Sequence, residues 1–247
     1  MTAPVIIQTA LSANTSFFAP LAILYVSISV YLYYIVRSRS IIAHITGNHN
    51  PYSPAVFFLV KFTGLIFFGV IPFIILSTTT DDNLSYKLLD AGLSGKYWYA
   101  IPVIFLIITF LSFISAKRKN GNRSPIRSMA ATHEYRFVTI SGWIIYILGY
   151  EFLFRGILWA VCFAAYGFWM AFAINIIMYA LAHLDQGPFM TLGAIPFGAL
   201  LCYITFLTGS FLFAFLIHSW LAVNNQVFPV YTDHGTGRDL KLKDTKT

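Results

Sequence analysis

Residues 137–165 read FVTISGWIIYILGYEFLFRGILWAVCFAA, an apolar run in which Glu151 and Arg155 are the only charged residues. A helix that crosses a bilayer needs about twenty mostly apolar residues, so this run is longer than one crossing requires. From Phe137 to Thr232, the only further charged residue is Asp185. A water-solvated surface cannot be built from such a stretch, and the sequence therefore predicts membrane-spanning helices.

The composition of the whole chain excludes soluble and disordered proteins. Of the 247 residues, 58% are hydrophobic and 10% are charged, and the mean hydropathy is +0.72. Soluble domains carry about 25% charged residues, and disordered chains have low hydrophobicity. We therefore predict an all-α, polytopic transmembrane helix bundle.

Charge and cysteine content also exclude several kinds of site. The net charge of +7 does not indicate nucleic acid binding, because the basic residues form short clusters beside apolar runs. Cys162 and Cys202 both lie inside apolar runs, so neither a disulfide framework nor a cysteine metal site is indicated. The first sixteen residues contain no Lys or Arg, so a cleavable signal peptide is not predicted. We expect no cofactor.

Seven apolar runs are long enough to cross a membrane, and an eighth span results if the fourth run breaks at Gly149 or Gly156. The short Tyr166-Gly167 sequence predicts a break between the fourth and fifth runs. Lys61 interrupts the second run, near enough to one end for its ammonium group to snorkel to the interface. The predicted spans are Phe17–Val36, Ala55–Leu76, Trp98–Ala116, Phe137–Ala165, Phe168–Ala182, Phe189–Leu207 and Phe211 to about Val230.

Basic residues beside the spans predict their orientation. Loops rich in Lys and Arg stay in the cytoplasm. With seven spans, the loop holding Arg37 and Arg39, the loop 117–136 and the C-terminal tail fall on one side. We therefore expect the N-terminus outside and the C-terminus in the cytoplasm. The expected organisation is a three-span region (1–136), a four-span core (137–230) and a polar tail (231–247).

The four-span core contains the polar residues that are candidates for chemistry. Glu151 and Arg155 are four residues apart on one helix, so they share a face and can pair. His183 ends the fifth span, and His218 lies in the middle of the last span, with Asn225 nearly on the same face. Ionisable groups inside spans usually face the bundle interior and mark function, although a structural ion pair and satisfied core histidines are the alternative interpretation.

These residue types suit hydrolysis. A carboxylate with a nearby imidazole can activate water, while a second imidazole and an amide can donate to a developing oxyanion. Arg155 would keep Glu151 ionised against the effect of burial. The same Glu with two His could instead hold zinc, but no HExxH sequence is present.

Three motifs give the sequence a family likeness. Tyr150–Gly156, YEFLFRG, resembles the EExxFRG motif of the CAAX protease and bacteriocin-processing family, which includes the type 2 CAAX prenyl endopeptidases. Tyr179–His183, YALAH, is similar to the FxxxH motif of that family. His218–Ala222 is similar to its third motif, a His followed four residues later by Asn. Order, spacing and helix placement agree from about Phe137 to Asn225.

The resemblance implies a glutamate-dependent intramembrane endopeptidase that cuts a membrane-bound peptide. It implies that Glu151 with His183 activates water, that His218 binds the oxyanion and that Arg155 orients Glu151. We expect such a protein in the bacterial inner membrane, in contact with membrane lipid and with a peptide substrate or a partner membrane protein.

Two positions depart from the family pattern. The first Glu of the EE pair, which is the family's water-activating base, is Tyr150, and the oxyanion-binding Asn is Ala222. Asn225 is a candidate substitute for that Asn, although it lies about 4.5 Å further along the helix axis than Ala222. A role for Tyr150 itself is also open, in which its hydroxyl donates a hydrogen bond to Glu151 or His183.

Because of these departures, a second class of function stays open. The chain can be a non-catalytic pseudoprotease that acts as a scaffold, an immunity factor or a subunit of a larger membrane complex. A small transporter fits less well, because the sequence shows no inverted pair of interrupted apolar segments.

Overall fold

The computed structural model describes residues 15–37, 53–79, 100–118 and 133–231, together with positions 41, 44 and 47. No strand occurs among these residues. Two π-helical segments, Ile66–Val70 and Phe152–Leu158, each join two successive α-helices, and a 3₁₀ turn covers Leu184–Gln186. The α-helices in chain order are α1 Thr15–Arg37, α2 Pro54–Leu65, α3 Ile71–Thr79, α4 Ala100–Arg118, α5 His133–Glu151, α6 Trp159–Leu181, α7 Pro188–Thr208 and α8 Phe211–Tyr231.

Five helices within the described ranges are long and apolar enough to cross a membrane, which confirms the all-α, polytopic class. A shorter apolar helix covers Ile101–Ser115. The count of seven spans stays a prediction, and most of the basic loop 117–136 and of the tail 231–247 lies outside the described residues. The five helices are Phe17–Arg37, Pro54–Thr78, Glu134–Leu181, Pro188–Thr208 and Phe211–Phe228.

The helical stretch Glu134–Leu181 has 48 residues, about 70 Å at 1.5 Å per residue. It is interrupted at Gly167, where φ is 77° and ψ is −179°. Only glycine adopts that backbone conformation without strain, so the predicted break at Tyr166-Gly167 is confirmed. At Gly149 and Gly156 the chain remains helical, so residues 137–165 form one helical run rather than two.

Helix α5 packs between α2 and α8. It approaches the π-helical segment after α2 so closely that a Cβ atom on Gly149 would lie 3.1 Å from the backbone nitrogen of Gly69. Small residues permit such backbone contact between membrane helices. The next residues along the chain, Tyr150 and Glu151, are therefore held in the middle of the bundle, where both are buried.

The outer faces of the helices are apolar. Large hydrophobic side chains are exposed on α4, on the second half of α6 and at the start of α7, among them Leu106, Phe110, Trp169 and Phe189. In water these apolar faces would promote aggregation, but in a membrane they contact lipid chains. The polar interior and the apolar exterior thus have the arrangement that a membrane requires.

Candidate functional site

Glu151 and Arg155 form an ion pair in the interior of the bundle. Glu151 is the last residue of α5, and Arg155 belongs to the π-helical segment that follows. Arg155 Nη1 lies 3.1 Å from Glu151 Oε2 and donates to Oε1 at 3.4 Å. Both side chains have 0% exposure. The predicted pairing of these two residues is therefore confirmed.

Arg155 also reaches the two helices that follow it. Its Nη2 donates to the backbone carbonyl of Gly198 on α7 at 3.5 Å, and its guanidinium carbon lies 4.2 Å from the ring centroid of Tyr179 on α6. Cation–π contact and hydrogen bonding both offset the cost of burying the charge. These contacts tie the arginine to α6 and α7, while the Glu151 carboxylate accepts a further hydrogen bond from His218.

His218 on α8 is the hydrogen-bond partner of Glu151. Its Nδ1 lies 2.5 Å from Glu151 Oε1. A carboxylate oxygen can only accept, so Nδ1 is the donor, and Nε2 of the neutral ring is the acceptor. The resemblance predicts that Glu151 works with His183, whereas the hydrogen bond in the structure is with His218.

His183 lies in the turn after α6, near the same group of side chains. Its Nδ1 is 2.8 Å from the carbonyl oxygen of Tyr179, and the two rings are 4.5 Å apart. Because a carbonyl accepts, Nδ1 carries the proton and Nε2 of the neutral ring is an acceptor. The Thr191 hydroxyl donates to the His183 carbonyl at 3.0 Å, so the turn is also fixed to the start of α7.

The Tyr150 ring lies near both histidines. Its ring centroid lies 6.0 Å from that of His218 and 6.3 Å from that of His183, and it stacks on Phe154 at 4.4 Å. The expectation that its hydroxyl donates to Glu151 or His183 is wrong, because this oxygen is buried and has no hydrogen-bond partner among the described residues. Tyr150 acts in this structure as an aromatic core residue.

A cavity of about 480 Å³ is lined by three of the predicted site residues, His183, His218 and Asn225, whereas Glu151 and Arg155 lie outside its lining. The His218 side chain is 13% exposed, whereas Glu151 has no exposed surface, so the imidazole rather than the carboxylate faces this space. Asn225, an exposed residue, lines the cavity beside Ala222. The polar lining also includes residues that the motifs do not contain, namely Lys61, Gln186 and Gln226.

A second cavity of about 450 Å³ lies between α1 and the end of α6. It shares Arg37, Tyr146, Tyr150 and Ala182 with the first cavity. At its lining, Arg37 Nη1 pairs with the carboxylate of Asp185. The two cavities are therefore neighbours, with Tyr146 and Tyr150 in the wall between them.

The described residues contain no group of three or more His, Cys, Asp and Glu side chains that could hold a metal ion. Glu151 bonds to His218 through one oxygen and faces Arg155 with the other, and His183 Nδ1 is bonded to a backbone carbonyl. This donor arrangement does not resemble the three-ligand site of a zinc hydrolase.

Sequence reasoning missed Lys61, which it placed at a membrane interface. The side chain is instead 5% exposed, and its ammonium nitrogen lies 3.4 Å from the ring centroid of Trp143. A lone lysine in an apolar span was the available signal, since such residues usually face the bundle interior.

Residues 132–223 match the family model described as Type II CAAX prenyl endopeptidase Rce1-like. This match confirms the resemblance that the three motifs predict, and it covers Glu151, His183 and His218. Comparison with curated proteins and with solved structures gives no match.

Proposed function

We propose that this integral membrane protein is an intramembrane endopeptidase acting on a membrane-anchored peptide. The premise is the match of residues 132–223 to the type II CAAX prenyl endopeptidase Rce1-like family model. The observation that carries the proposal is the 2.5 Å contact between Glu151 Oε1 and His218 Nδ1 at the wall of a cavity. A carboxylate that fixes an imidazole in one tautomer is a recurring device for general-base catalysis.

In the proposed reaction, His218 is the base that activates water. Its Nε2 takes a proton from a water molecule in the cavity, and the oxygen of that water forms a bond to the peptide carbonyl carbon. The π electrons of the carbonyl move to its oxygen. On collapse of this intermediate the C–N bond breaks, and the imidazolium proton passes to the leaving amine nitrogen. Glu151 stabilises the imidazolium, and Arg155 orients Glu151.

One further residue has a role in stabilising the oxyanion. His183 is not a donor to it, because its Nδ1 is bonded to the Tyr179 carbonyl and Nε2 of the neutral ring is an acceptor. Asn225 lines the cavity and would donate from its amide, which replaces the family amide lost at Ala222. Loss of one such donor typically costs about 10²–10³ in rate.

The test uses purified protein in lipid nanodiscs with two probes. One is a short peptide with an S-farnesyl cysteine fourth from its carboxyl end, the sequence pattern of prenylated proteins, and the other is an unprenylated single-span peptide. Mass spectrometry should find cleavage of at least one probe.

His218→Ala and Glu151→Gln should each reduce the rate by about 10²-fold or more. His44→Ala, a histidine at an exposed position, should have no effect. Intact probes after incubation with the unaltered protein would contradict the proposal.

A second candidate function is that of a non-catalytic scaffold, immunity factor or subunit. It is favoured by Tyr150, whose buried hydroxyl lacks a partner among the described residues, and by Ala222. In that case Glu151→Gln and His218→Gln, which keep size and some hydrogen bonding, should complement a deletion strain fully. In a working protease both variants should fail to complement.

We also propose the orientation with the N-terminus outside and the C-terminus in the cytoplasm of a bacterial inner membrane. The ion pair of Arg37 with Asp185 supports it, because the basic-loop rule puts both segments on the cytoplasmic side. The first cavity is lined by Arg37, His183 and Gln186, so a substrate would reach it from that side.

A further inference from the structure

A polar cluster joins α4 to α8 outside the cavity. Thr109 on α4 accepts hydrogen bonds from Trp220 Nε1 at 2.9 Å and from Asn224 Nδ2 at 3.4 Å. Its own hydroxyl donates to the Phe105 carbonyl at 2.7 Å, so the proton and both lone pairs of this hydroxyl are in use. We call Thr109, Trp220 and Asn224 the Thr109 cluster. None of these three residues lines the cavity that His218 faces.

Ring stacking and the membrane both reinforce the Thr109 cluster. The Trp220 indole stacks on the Phe105 ring, with centroids 4.8 Å apart and planes 4° from parallel. Trp220 is 37% exposed on the outer face of the bundle, whereas Asn224 is buried. Within a bilayer no water competes for these donors, so breaking the bonds would leave polar groups unsatisfied. The cluster therefore holds α8 at one rotation relative to α4.

Helix α4 is itself attached to the bundle by apolar contacts. Ile101 and Ile108 belong to a buried apolar cluster that also contains Leu201 of α7 and Ile217 of α8. Such contacts specify the rotation of a membrane helix only weakly, because lipid tails are as apolar as the side chains that they would replace. Hydrogen bonds have fixed partners and directions. The Thr109 cluster therefore specifies the rotation that the apolar contacts leave open.

The rotation of α8 decides where the His218 side chain points. Successive residues of an α-helix are about 100° apart around the axis, so Trp220 lies about 200° and Asn224 about 240° from His218. The Thr109 cluster and the His218 imidazole are therefore on nearly opposite faces of α8. A rotation of α8 that breaks the cluster also displaces His218 Nδ1 from Glu151 Oε1, which lies 2.5 Å away.

Resting on the proposed function, we infer that Thr109, Trp220 and Asn224 are positioning residues for His218. They act through the rotation of α8 and do not touch the substrate. With the cluster in place, the Glu151 carboxylate keeps the proton of the neutral His218 ring on Nδ1, and Nε2 accepts a proton from water. Without the cluster, the ring moves away from the carboxylate and its proton distributes over both nitrogens.

The first measurement is the tautomer of His218, by ¹⁵N NMR of histidine-labelled protein in nanodiscs over a pH range that includes the neutral ring. The His218 signal is the one that is lost in His218→Gln. In the unaltered protein the proton should be on Nδ1, and Thr109→Val should move part of it to Nε2. Thr109→Ser keeps the hydroxyl and should keep the tautomer. Thr63→Val is the matched control, because the Thr63 hydroxyl donates to the Val60 carbonyl of its own helix.

The second measurement is cleavage of whichever probe the unaltered protein cuts. Thr109→Val should lower kcat by about ten- to a hundredfold, as expected for a displacement of about 1 Å at a reacting group. It should leave KM unchanged, because the cluster lies outside the cavity lining. Trp220→Phe keeps a ring to stack and removes the N–H group. It should change the tautomer and kcat in the same direction, and it replaces Thr109→Val if that variant fails to fold.

An unchanged His218 tautomer in both variants overturns the inference even if their melting temperatures fall, because the cluster would then only stabilise the fold. An unchanged kcat beside a changed tautomer overturns it as well, and so does a proton on Nε2 in the unaltered protein. If the unaltered protein cuts neither probe, the proposed protease fails on its own. The tautomer of the two variants then still decides whether the Thr109 cluster positions His218.

Discussion

Asn175 on α6 donates a 2.6 Å hydrogen bond from Nδ2 to the carbonyl oxygen of Phe154, inside the π-helical segment that separates Glu151 from α6. Asn175 is fully buried, and its Oδ1 accepts a hydrogen bond from Cys202 Sγ at 3.2 Å. A π-helical segment has poorer backbone geometry than an α-helix and occurs often at functional sites. The amide therefore stabilises the irregular segment that carries Arg155.

The Asn175 contact gives the first prediction. Asn175→Leu should destabilise the protein by about 1–3 kcal/mol, the cost of leaving a buried partner unsatisfied, and should lower the melting temperature in detergent. Cys202→Ala should have a smaller effect, because a thiol is a weak donor. Equal melting temperatures for Asn175→Leu and the unaltered protein would mean that the π-helical segment is stable without this bond.

The second prediction concerns the buried ion pair. Arg155→Ala leaves the Glu151 carboxylate buried without its cation, a loss that costs about 3–5 kcal/mol in soluble proteins. The double variant Glu151→Gln with Arg155→Met removes both charges and should melt at a higher temperature than Arg155→Ala. If the single and double variants melt alike, the two charges are not structurally coupled.

The third prediction rests on the close approach of Gly198 to Tyr179. A Cβ atom at position 198 would lie 2.9 Å from Tyr179 Cδ1, so Gly198→Ala should displace the ring under the Arg155 guanidinium. We expect a destabilisation of about 1–3 kcal/mol, as for other overpacked sites. Gly193→Ala on the same helix is the control, because its Cβ would meet nothing within 4 Å. A control that melts lower than Gly198→Ala would refute this explanation.

The fourth prediction concerns the Tyr150 hydroxyl. Tyr150→Phe should leave the melting temperature unchanged or raise it, because the buried oxygen has no partner among the described residues and its removal relieves a desolvation cost. Tyr25→Phe is the matched control and should lower the melting temperature, since this hydroxyl donates to the Phe67 carbonyl at 2.6 Å. A large loss of stability or function in Tyr150→Phe would show that the hydroxyl has a partner in the membrane.

The fifth prediction tests orientation by labelling intact cells with a membrane-impermeant thiol reagent. Tyr166→Cys, at an exposed position beside Gly167, should react from outside. Gln186→Cys, in the turn after His183, should react only after the cells are opened. The native Cys162 and Cys202 are buried and should give little background. Labelling in the reverse order would overturn the proposed orientation.

The sequence by itself predicted the features that depend on local chain chemistry. Apolar runs without charges must be helical in a membrane, because no water satisfies the backbone there. The spacing of four between Glu151 and Arg155 predicted their pairing, because helix geometry alone brings such residues together. The break at Gly167 followed from the tolerance of glycine for a positive φ. The three motifs predicted the family resemblance over the region that matches.

Only the tertiary structure decided which groups meet across helices. Glu151 and His218 are 67 residues apart, and nothing local distinguishes His218 from His183 as the partner of the carboxylate. The direction of Lys61 depended on which rings α5 presents to α2, so a lysine expected at the interface is instead buried against the rings of Trp143 and Tyr146. The π-helical segment after Glu151 is stabilised by an amide from α6. Side-chain contacts of this kind are set by how helices are rotated and spaced against one another, and a hydrophobicity pattern does not specify that packing.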